Sequence, residues 1–288
     1  MIPIAIFLTF FLGNPAQTET GNDLPDLDTF LQNVQNNLRS DNLLQSQYTF
    51  NMKQTNFEPD ENGSPQTTEV NQYEVYSSID NEYTYRRHIS RNGMPLSDDE
   101  IAEQDREHND KLKKLQEKLD KEGISLETYQ HRIEEIQLKK EERIIEELPH
   151  IYDISILGRQ ILDGRNAIIL KIHPRPEYEP YSKETKILSK FAGKVWFCER
   201  DYQLIKAEME LVDNISFGWG LFARLHKGTK IFYRRQYIND EIWLPAEVRF
   251  IGTARVLLLK KIRFNILNEF SNYRKFTVET SIKYHGKQ

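Results

Sequence analysis

The chain has 288 residues, of which 38% are hydrophobic, 11% aromatic and 29% charged. This composition is typical of a globular protein and excludes a disordered chain or a protein with many membrane spans. A net charge of −5 argues against a dedicated nucleic-acid-binding protein. The single cysteine, Cys198, excludes an intrachain disulfide and a metal cluster built on several thiolates.

The chain begins with an apolar run over residues 2–13, which is too short to span a bilayer comfortably. The run ends in small residues, and the pattern predicts a secretory signal peptide over residues 1–16 with cleavage near Ala16. No basic residue precedes Arg39, so either the true start lies upstream or the signal is an atypical one.

An amphipathic helix is predicted over residues 24–44, where apolar side chains recur at a spacing of three and four. Three strands follow it, over residues 48–53, 70–76 and 83–89. They are joined by short polar turns that contain Asn-Gly or Asp-Asn. Short strands with such connections indicate an antiparallel meander.

The period then changes, and residues 97–147 are predicted to form a charged helical hairpin. Ser97 and Glu100 form a capping box, Gly123 ends the first helix, and Ser125 begins the second. The leucine spacing predicts a narrow coiled-coil seam. The hairpin resembles SHOCT, a short helical hairpin thought to mediate oligomerisation, and the alternative is a solvated hairpin inserted between two strands.

A second meander follows, with strands that alternate apolar and polar side chains. These strands are predicted over residues 150–157, 166–172, 194–198, 204–212, 228–238, 244–250, 256–267 and 273–284. A short helix is predicted over residues 182–191. The sequence therefore predicts an α+β protein whose antiparallel sheet is formed by residues 17–96 and 148–288 and interrupted by the hairpin over residues 97–147.

Motifs for catalysis and metal binding are absent from the sequence. It contains no Gly-rich phosphate loop, no HExxH zinc helix and no GxSxG elbow, so no catalytic residue, metal ligand or cofactor is predicted. Glu199, Asp201, Asp240 and Glu241 lie at predicted turns. A hydrolase remains an alternative only if two or more such carboxylates converge in one pocket.

The order of elements and three passages together resemble the LolA/RseB-type family of outer-membrane lipoprotein-sorting proteins. The passages are GRNAIILKIHPRP, WLPAEVRF and SNYRKFTVET. The resemblance implies an incomplete antiparallel β-barrel whose concave apolar face is covered by helices. It further implies that this face takes the acyl chains of lipoproteins or, in RseB-like members, helps to sense mislocalised envelope components.

The resemblance and the strand alternation together predict a non-enzymatic carrier or binding protein for lipids or lipoprotein acyl chains in the periplasm of a Gram-negative bacterium. The apolar residues predicted to line the concave face are Ile205, Ala207, Met209, Leu211, Val248, Phe250, Val256, Leu258 and Phe264. The residues predicted to gate it are Phe217, Trp219 and Phe222.

Two further expectations concern partners. The alternative function is an envelope interaction or stress-sensor protein that binds its partner through residues 97–147. A peripheral membrane contact is a further expectation, because the chain after Arg224 is mostly basic where it is charged.

Overall fold

The structure is a computed structural model that describes residues 24–38, 45–59, 64–78, 80–217, 223–256 and 260–275. Within these ranges the chain forms four α-helices: α1 (Leu27–Asn37), α2 (Asp98–Glu122), α3 (Leu126–Ile151) and α4 (Lys183–Leu188). A single 3₁₀ turn spans Asn81–Tyr83.

The same residues form one 13-stranded sheet. Its strands are β1 (Tyr48–Pro59), β2 (Pro65–Tyr76), β3 (Tyr85–Arg91), β4 (Met94–Pro95), β5 (Tyr152–Leu162), β6 (Arg165–Pro174), β7 (Phe191–Cys198), β8 (Leu204–Leu211), β9 (Ile215–Phe217), β10 (Ala223–Leu225), β11 (Lys230–Ile238), β12 (Ile242–Val256) and β13 (Lys260–Lys275).

The sheet is antiparallel and open. Its order is β4-β3-β2-β1-β13-β12-β11-β8-β7-β6-β5, and the small hairpin of β9 and β10 joins it through β12. β1 pairs with both β2 and β13, so the first meander of the chain is joined to the last strand. The predicted α+β class, an antiparallel sheet with helical cover, is confirmed.

The helix ends follow the predicted capping signals. The Ser97 side chain accepts a hydrogen bond from the Glu100 amide, and the Glu100 carboxylate accepts one from the Ser97 amide. Gly123 ends α2 in the left-handed conformation, with φ of 64°. Because α3 continues through Pro149 to Ile151, β5 begins at Tyr152 and not at the predicted residue 150.

α2 and α3 connect the two opposite edges of the sheet, since they lie between β4 and β5 in the chain. α2 packs along β3, where Arg87 donates two hydrogen bonds to Asp105 and the Tyr85 ring stacks on His108. At the start of α3, the Tyr129 hydroxyl donates to Asp80, just before the 3₁₀ turn. The hairpin turn is therefore fixed to the β3 edge.

The far end of α3 is fixed to the β5 edge of the sheet. Lys140 forms an ion pair with Glu184 of α4 at 2.7 Å. The buried Glu147 carboxylate accepts hydrogen bonds from the Tyr178 hydroxyl and the Tyr181 amide. α3 therefore runs from one edge of the open sheet to the other. The predicted coiled-coil contact between α2 and α3 does not extend to the middle of α3, because Ile136 there is 58% exposed.

α1 covers the half of the sheet that contains β5 to β8. Phe30 and Val34 of α1 are buried in a cluster with apolar side chains of these strands, including Leu170 of β6 and Val195 of β7. The chain backbone approaches closely at Gly193 of β7, where a β-carbon would lie 2.0 Å from the carbonyl oxygen of Glu208. Any residue with a β-carbon at that position therefore requires the two strands to shift.

We expect Gly193→Ala to lower the free energy of unfolding by about 1–3 kcal/mol, because β7 and β8 must separate to admit the methyl group. Urea denaturation measures the change. Lys194→Ala is the control, since the Lys194 side chain is exposed on the next residue of β7. An unchanged urea midpoint for Gly193→Ala would contradict the close approach.

We also expect the contact of α3 with the β5 edge to depend on pH. Burial opposes ionisation of Glu147, but hydrogen bonds from Tyr178 and Tyr181 outweigh it and hold the pKa of this carboxyl below its usual value. A carboxyl with a lowered folded-state pKa stabilises the fold above its unfolded pKa of about 4.3, and this contribution is lost as the pH falls.

Glu147→Gln should therefore lower the Tm at pH 7, and the difference from the wild type should shrink as the pH falls towards about 3. Glu146→Gln, on the exposed neighbouring residue, is the control and should leave the Tm nearly unchanged at both pH values. A Tm difference for Glu147→Gln that stays constant over this range would show that ionisation of Glu147 does not stabilise the fold.

Candidate ligand-binding cavity

An open cavity of about 650 Å³ lies on the inner face of the sheet, the face that α1 covers further along. Strands β1, β2, β11, β12 and β13 supply its floor. The apolar residues that line it are Phe50, Met52, Val75, Tyr233, Pro245, Val248 and Phe270. The cavity therefore lies in the half of the sheet that α1 leaves uncovered.

Strand register explains why these side chains meet. Residues that pair directly across an antiparallel ladder point to the same face. Met52 of β1 pairs with Phe270 of β13 on one side and with Tyr73 of β2 on the other. Tyr233 of β11 pairs with Val248 of β12. Side chains from both ends of the chain are thus brought to one apolar surface.

The rim of the cavity is polar. Gln45, Ser77, Ser78, Asn81, Thr84 and Arg86 supply it. The Ser78 amide donates a hydrogen bond to the Thr84 hydroxyl, which closes the loop between β2 and β3. Arg86 is exposed and, among the residues that the structure describes, forms no ion pair. The rim therefore offers one cationic group above an apolar floor.

The residues predicted to line the concave face lie in different surroundings in the structure. Val248 lines the cavity. Phe250 and Phe264 lie on the same face as Val248, in register with Ile266 and Gly252, and are half-buried. Val256 is half-buried at the end of β12. These residues form an apolar surface that continues from the cavity towards the hairpin of β9 and β10.

Two predicted residues belong to filled core. Ala207 is 8% exposed and lies in the cluster under α1. Leu211 is fully buried against Phe191 and Ile215. Met209 is half-buried between these two clusters. Because the space around Ala207 and Leu211 is occupied by protein, they are placed as core residues and not as cavity lining.

The side chain of Ile205 does not lie on the predicted concave face of the sheet. It is buried with Trp196 and Trp243 in a cluster separate from that of Ala207. The ladder of β7 and β8 has a bulge between Trp196 and Phe197, so the alternation of side chains shifts by one residue there. The clean alternation of β8 in the sequence did not reveal this shift.

The predicted gate lies mostly outside the described residues. The backbone of Phe217 ends β9 and pairs with Ala223 of β10. Trp219, Phe222 and the predicted lining residue Leu258 are not among the described residues.

The apolar lining residues that sequence reasoning missed are Phe50, Met52, Val75, Tyr233, Pro245 and Phe270, and Arg86 was missed as the cationic one. The alternation of Phe50 and Met52 with polar residues was visible in the sequence and identified β1 as a strand. It could not show that β1 lies beside β13, because that pairing joins residues more than 200 positions apart.

The turn carboxylates are each engaged by a different group. Glu199 forms an ion pair with Arg159 at 2.6 Å, and Asp201 accepts a hydrogen bond from the Trp243 indole at 2.9 Å. Glu241 pairs with Lys275 at 2.9 Å. Within the described ranges, no group of three or more His, Cys, Asp or Glu side chains is placed to hold a metal ion.

We expect substitutions at core positions of the predicted concave face to lower the free energy of unfolding more than substitutions at cavity positions. Leu211→Ala should lower the free energy of unfolding by about 2–5 kcal/mol, because it empties a filled site. Val248→Ala should lower it by less than about 1.5 kcal/mol, because Val248 already borders open space. Urea denaturation of both variants tests this difference, and equal losses would contradict the division of the inner face into core and cavity.

Solved structures that match this chain in a structural comparison include a LolA superfamily protein from Nitrosomonas europaea, at 10% sequence identity and a TM-score of 0.34, over 90% of this chain and 97% of that one. A DUF1329 family protein from Desulfovibrio piger matches at 13% sequence identity and a TM-score of 0.32, over 87% of this chain and 93% of that one. A domain from Vibrio parahaemolyticus that is described as an outer membrane lipoprotein-sorting protein matches at 10% sequence identity and a TM-score of 0.30, over 87% of this chain and 92% of that one. No protein-family profile and no curated protein matches the chain. At these identities and TM-scores the matches carry no role, ligand or partner over to this chain.

Proposed function

We propose that this chain is a non-enzymatic binding or carrier protein for lipids or lipoprotein acyl chains, acting in the periplasm of a Gram-negative bacterium. The observation that supports it is the open cavity of about 650 Å³ with an apolar floor. This volume lies within the range of about 300–1,000 Å³ that is usual for ligand pockets. In the described part of the chain, no helix is both long and apolar enough to cross a membrane.

The apolar floor favours an alkyl chain as the ligand. Each methylene group moved from water onto such a surface is worth about 0.8 kcal/mol. A chain of a dozen methylenes therefore supplies roughly 9 kcal/mol of favourable transfer free energy, from which the entropy cost of binding is subtracted. Phe50, Phe270 and Val248 would contact the alkyl chain, since they line the floor.

The rim favours an amphiphile with a polar or anionic head. Arg86, Ser77 and Ser78 are among the polar residues that line the cavity. A guanidinium binds carboxylate or phosphate oxygens through paired hydrogen bonds. A ligand with its alkyl chain on the floor and its head at Arg86 would satisfy both parts of the site.

A second candidate function is that of an envelope interaction or stress-sensor protein acting through the helical hairpin. The observation that favours it is the exposure of Ile136 and Leu138 on α3, at 58% and 39%. α3 is held at both of its ends, so its exposed middle is presented in a fixed position. Because they lie two residues apart, these side chains point to different sides of α3, and a partner helix could cover either one without displacing α3.

We expect Val248→Trp to fill the cavity and weaken binding of a fluorescent long-chain fatty acid by at least about tenfold, as measured by fluorescence titration. Ile251→Trp is the matched control, because Ile251 lies on the opposite face of β12 and does not line this cavity. Equal affinity in the two variants and the wild type would contradict binding in the cavity.

We expect Arg86→Gln to weaken binding of the fatty acid by about tenfold and to leave binding of the corresponding fatty alcohol unchanged, because only the acid carries a charge for the guanidinium. Competition against the fluorescent probe measures both affinities. Arg91→Gln is the control, since Arg91 is an exposed cation at the other end of β3. A loss of affinity for both ligands would mean that Arg86 acts through packing and not through its charge.

A further inference from the structure

The open cavity runs across the strands of the sheet. At one end, Arg86 of β3 pairs directly with Val75 of β2, and Val75 pairs with Phe50 of β1. At the other end, Val248 of β12 pairs directly with Tyr233 of β11. All five residues line the same cavity, so its floor extends over six neighbouring strands, from β3 to β11.

The end of the floor at β11 is closed by protein. Tyr233 pairs directly with Ala207 of β8, which is 8% exposed. Ala207 belongs to the filled cluster under α1, and Tyr233 packs against that cluster. Because a packed core does not admit additional atoms without strain, a ligand chain that reaches Tyr233 does not continue to β8.

One long side of the floor is bounded by amide side chains. Gln54 lies two residues beyond Met52 of β1, on the same face of the sheet. Asn268 lies two residues beyond Phe270 of β13, also on that face. Gln54 and Asn268 pair directly, and the Gln54 amide nitrogen donates a hydrogen bond to the Asn268 side-chain oxygen at 3.1 Å. An alkyl chain laid over these amides would remove them from water without a hydrogen bond in return, so it stays on the apolar floor.

The end of the floor at β3 is exposed and cationic. Arg86 is exposed, and it is the one charged side chain among the described residues that line the cavity. An anionic head group is therefore favoured at this end, and an apolar chain end is favoured at Tyr233. With both ends assigned, the floor has a direction and a fixed length.

The spacing of the strands converts this floor into a number of carbons. Arg86 and Tyr233 lie five strand spacings apart, or about 24 Å across the sheet at about 4.8 Å for each spacing. An extended alkyl chain advances by about 1.25 Å per carbon, since its C–C bonds of about 1.5 Å meet at angles of about 111°. The side chains at the two ends take up part of the span, so a chain of about 18 carbons matches the floor.

We propose that this cavity selects its ligand by length, and that it binds unbranched anionic amphiphiles with an alkyl chain of about 16–18 carbons. The head lies at Arg86 and the terminal methyl group lies against Tyr233. This inference rests on the proposed function, since it concerns the same cavity and an alkyl ligand. It adds that carbons beyond the length of the floor leave the apolar surface and contribute no affinity.

The test is a series of unbranched fatty acids from decanoic to docosanoic acid. Competition against a fluorescent fatty acid measures each affinity, at concentrations below those at which the acids form micelles. While the chain lengthens along the floor, we expect the affinity to rise by about fourfold for each added methylene. The rise should stop near octadecanoic acid, so that docosanoic acid binds no more tightly.

Val248→Trp should shorten the floor at its closed end by about one strand spacing, because β12 lies next to β11. The rise in affinity should then stop about four carbons earlier, while decanoic acid should bind as it does to the wild type. If Val248→Trp does not fold, Val248→Phe takes its place and should move the break in the same direction.

Ser77→Trp is the matched control at the exposed end of the floor. Ser77 follows β2 directly and lines the cavity, and the last residue of β2, Tyr76, pairs with Tyr85 beside Arg86. An obstruction there meets the head and the first carbons of every acid. Ser77→Trp should therefore weaken binding of all chain lengths by a similar factor and leave the position of the break unchanged.

Three outcomes would overturn the selection by length while fatty-acid binding itself stands. One is an affinity that keeps rising up to docosanoic acid. Another is an equal loss of affinity for decanoic and octadecanoic acids in Val248→Trp, which would show that the chain does not run from Arg86 to Tyr233. The third is a break that moves in Phe250→Ser, which would show that the chain turns along β12. If no acid of any length binds, the proposed function fails together with this inference.

Discussion

The pairing of β1 with β13 is the interaction on which the rest of the structure depends. It joins Tyr48 to Lys275 and Asn56 to Ile266, across most of the chain. Without it, the first three strands would form a separate small sheet with an exposed apolar face. With it, Phe50 and Met52 lie beside Phe270, and the cavity acquires a floor supplied by both ends of the chain.

An open sheet of this size leaves two distant edges, and the helical hairpin connects them. Its attachments at Asp80 and Glu147 lie at opposite edges, so α3 fixes one edge relative to the other. A 26-residue helix is about 39 Å long, which is long enough for this role. The hairpin is therefore part of the framework that holds the sheet open, even though most of its surface is polar and exposed.

The sequence predicts local features well and long-range ones poorly. Capping at Ser97 and the break at Gly123 follow from hydrogen bonds within a few residues, and both are found where expected. The face of Ile205 depends on a bulge that forms only when β7 meets β8, and alternation along one strand cannot show it. The core position of Leu211 likewise depends on Ile215 of β9, which is buried in the same cluster. Apart from Val248, the lining of the cavity was missed for the same reason, since it requires the register of five strands.

The two faces of β12 therefore carry different chemistry from one run of alternating residues. Val248 and Phe250 point inward, towards the cavity and the apolar surface that continues it, while Arg249 and Arg255 point outward. A one-residue shift in the register of β12 would exchange these faces and place arginines on the apolar floor. The bulge near Pro245 adjusts the ladder with β11 at the cavity wall, and the Tyr273 hydroxyl of β13 donates a hydrogen bond to the Pro245 carbonyl at 2.8 Å. This contact ties β13 to β12 beside the bulge, so the register that separates the apolar face from the basic one is held at the same place that shapes the cavity.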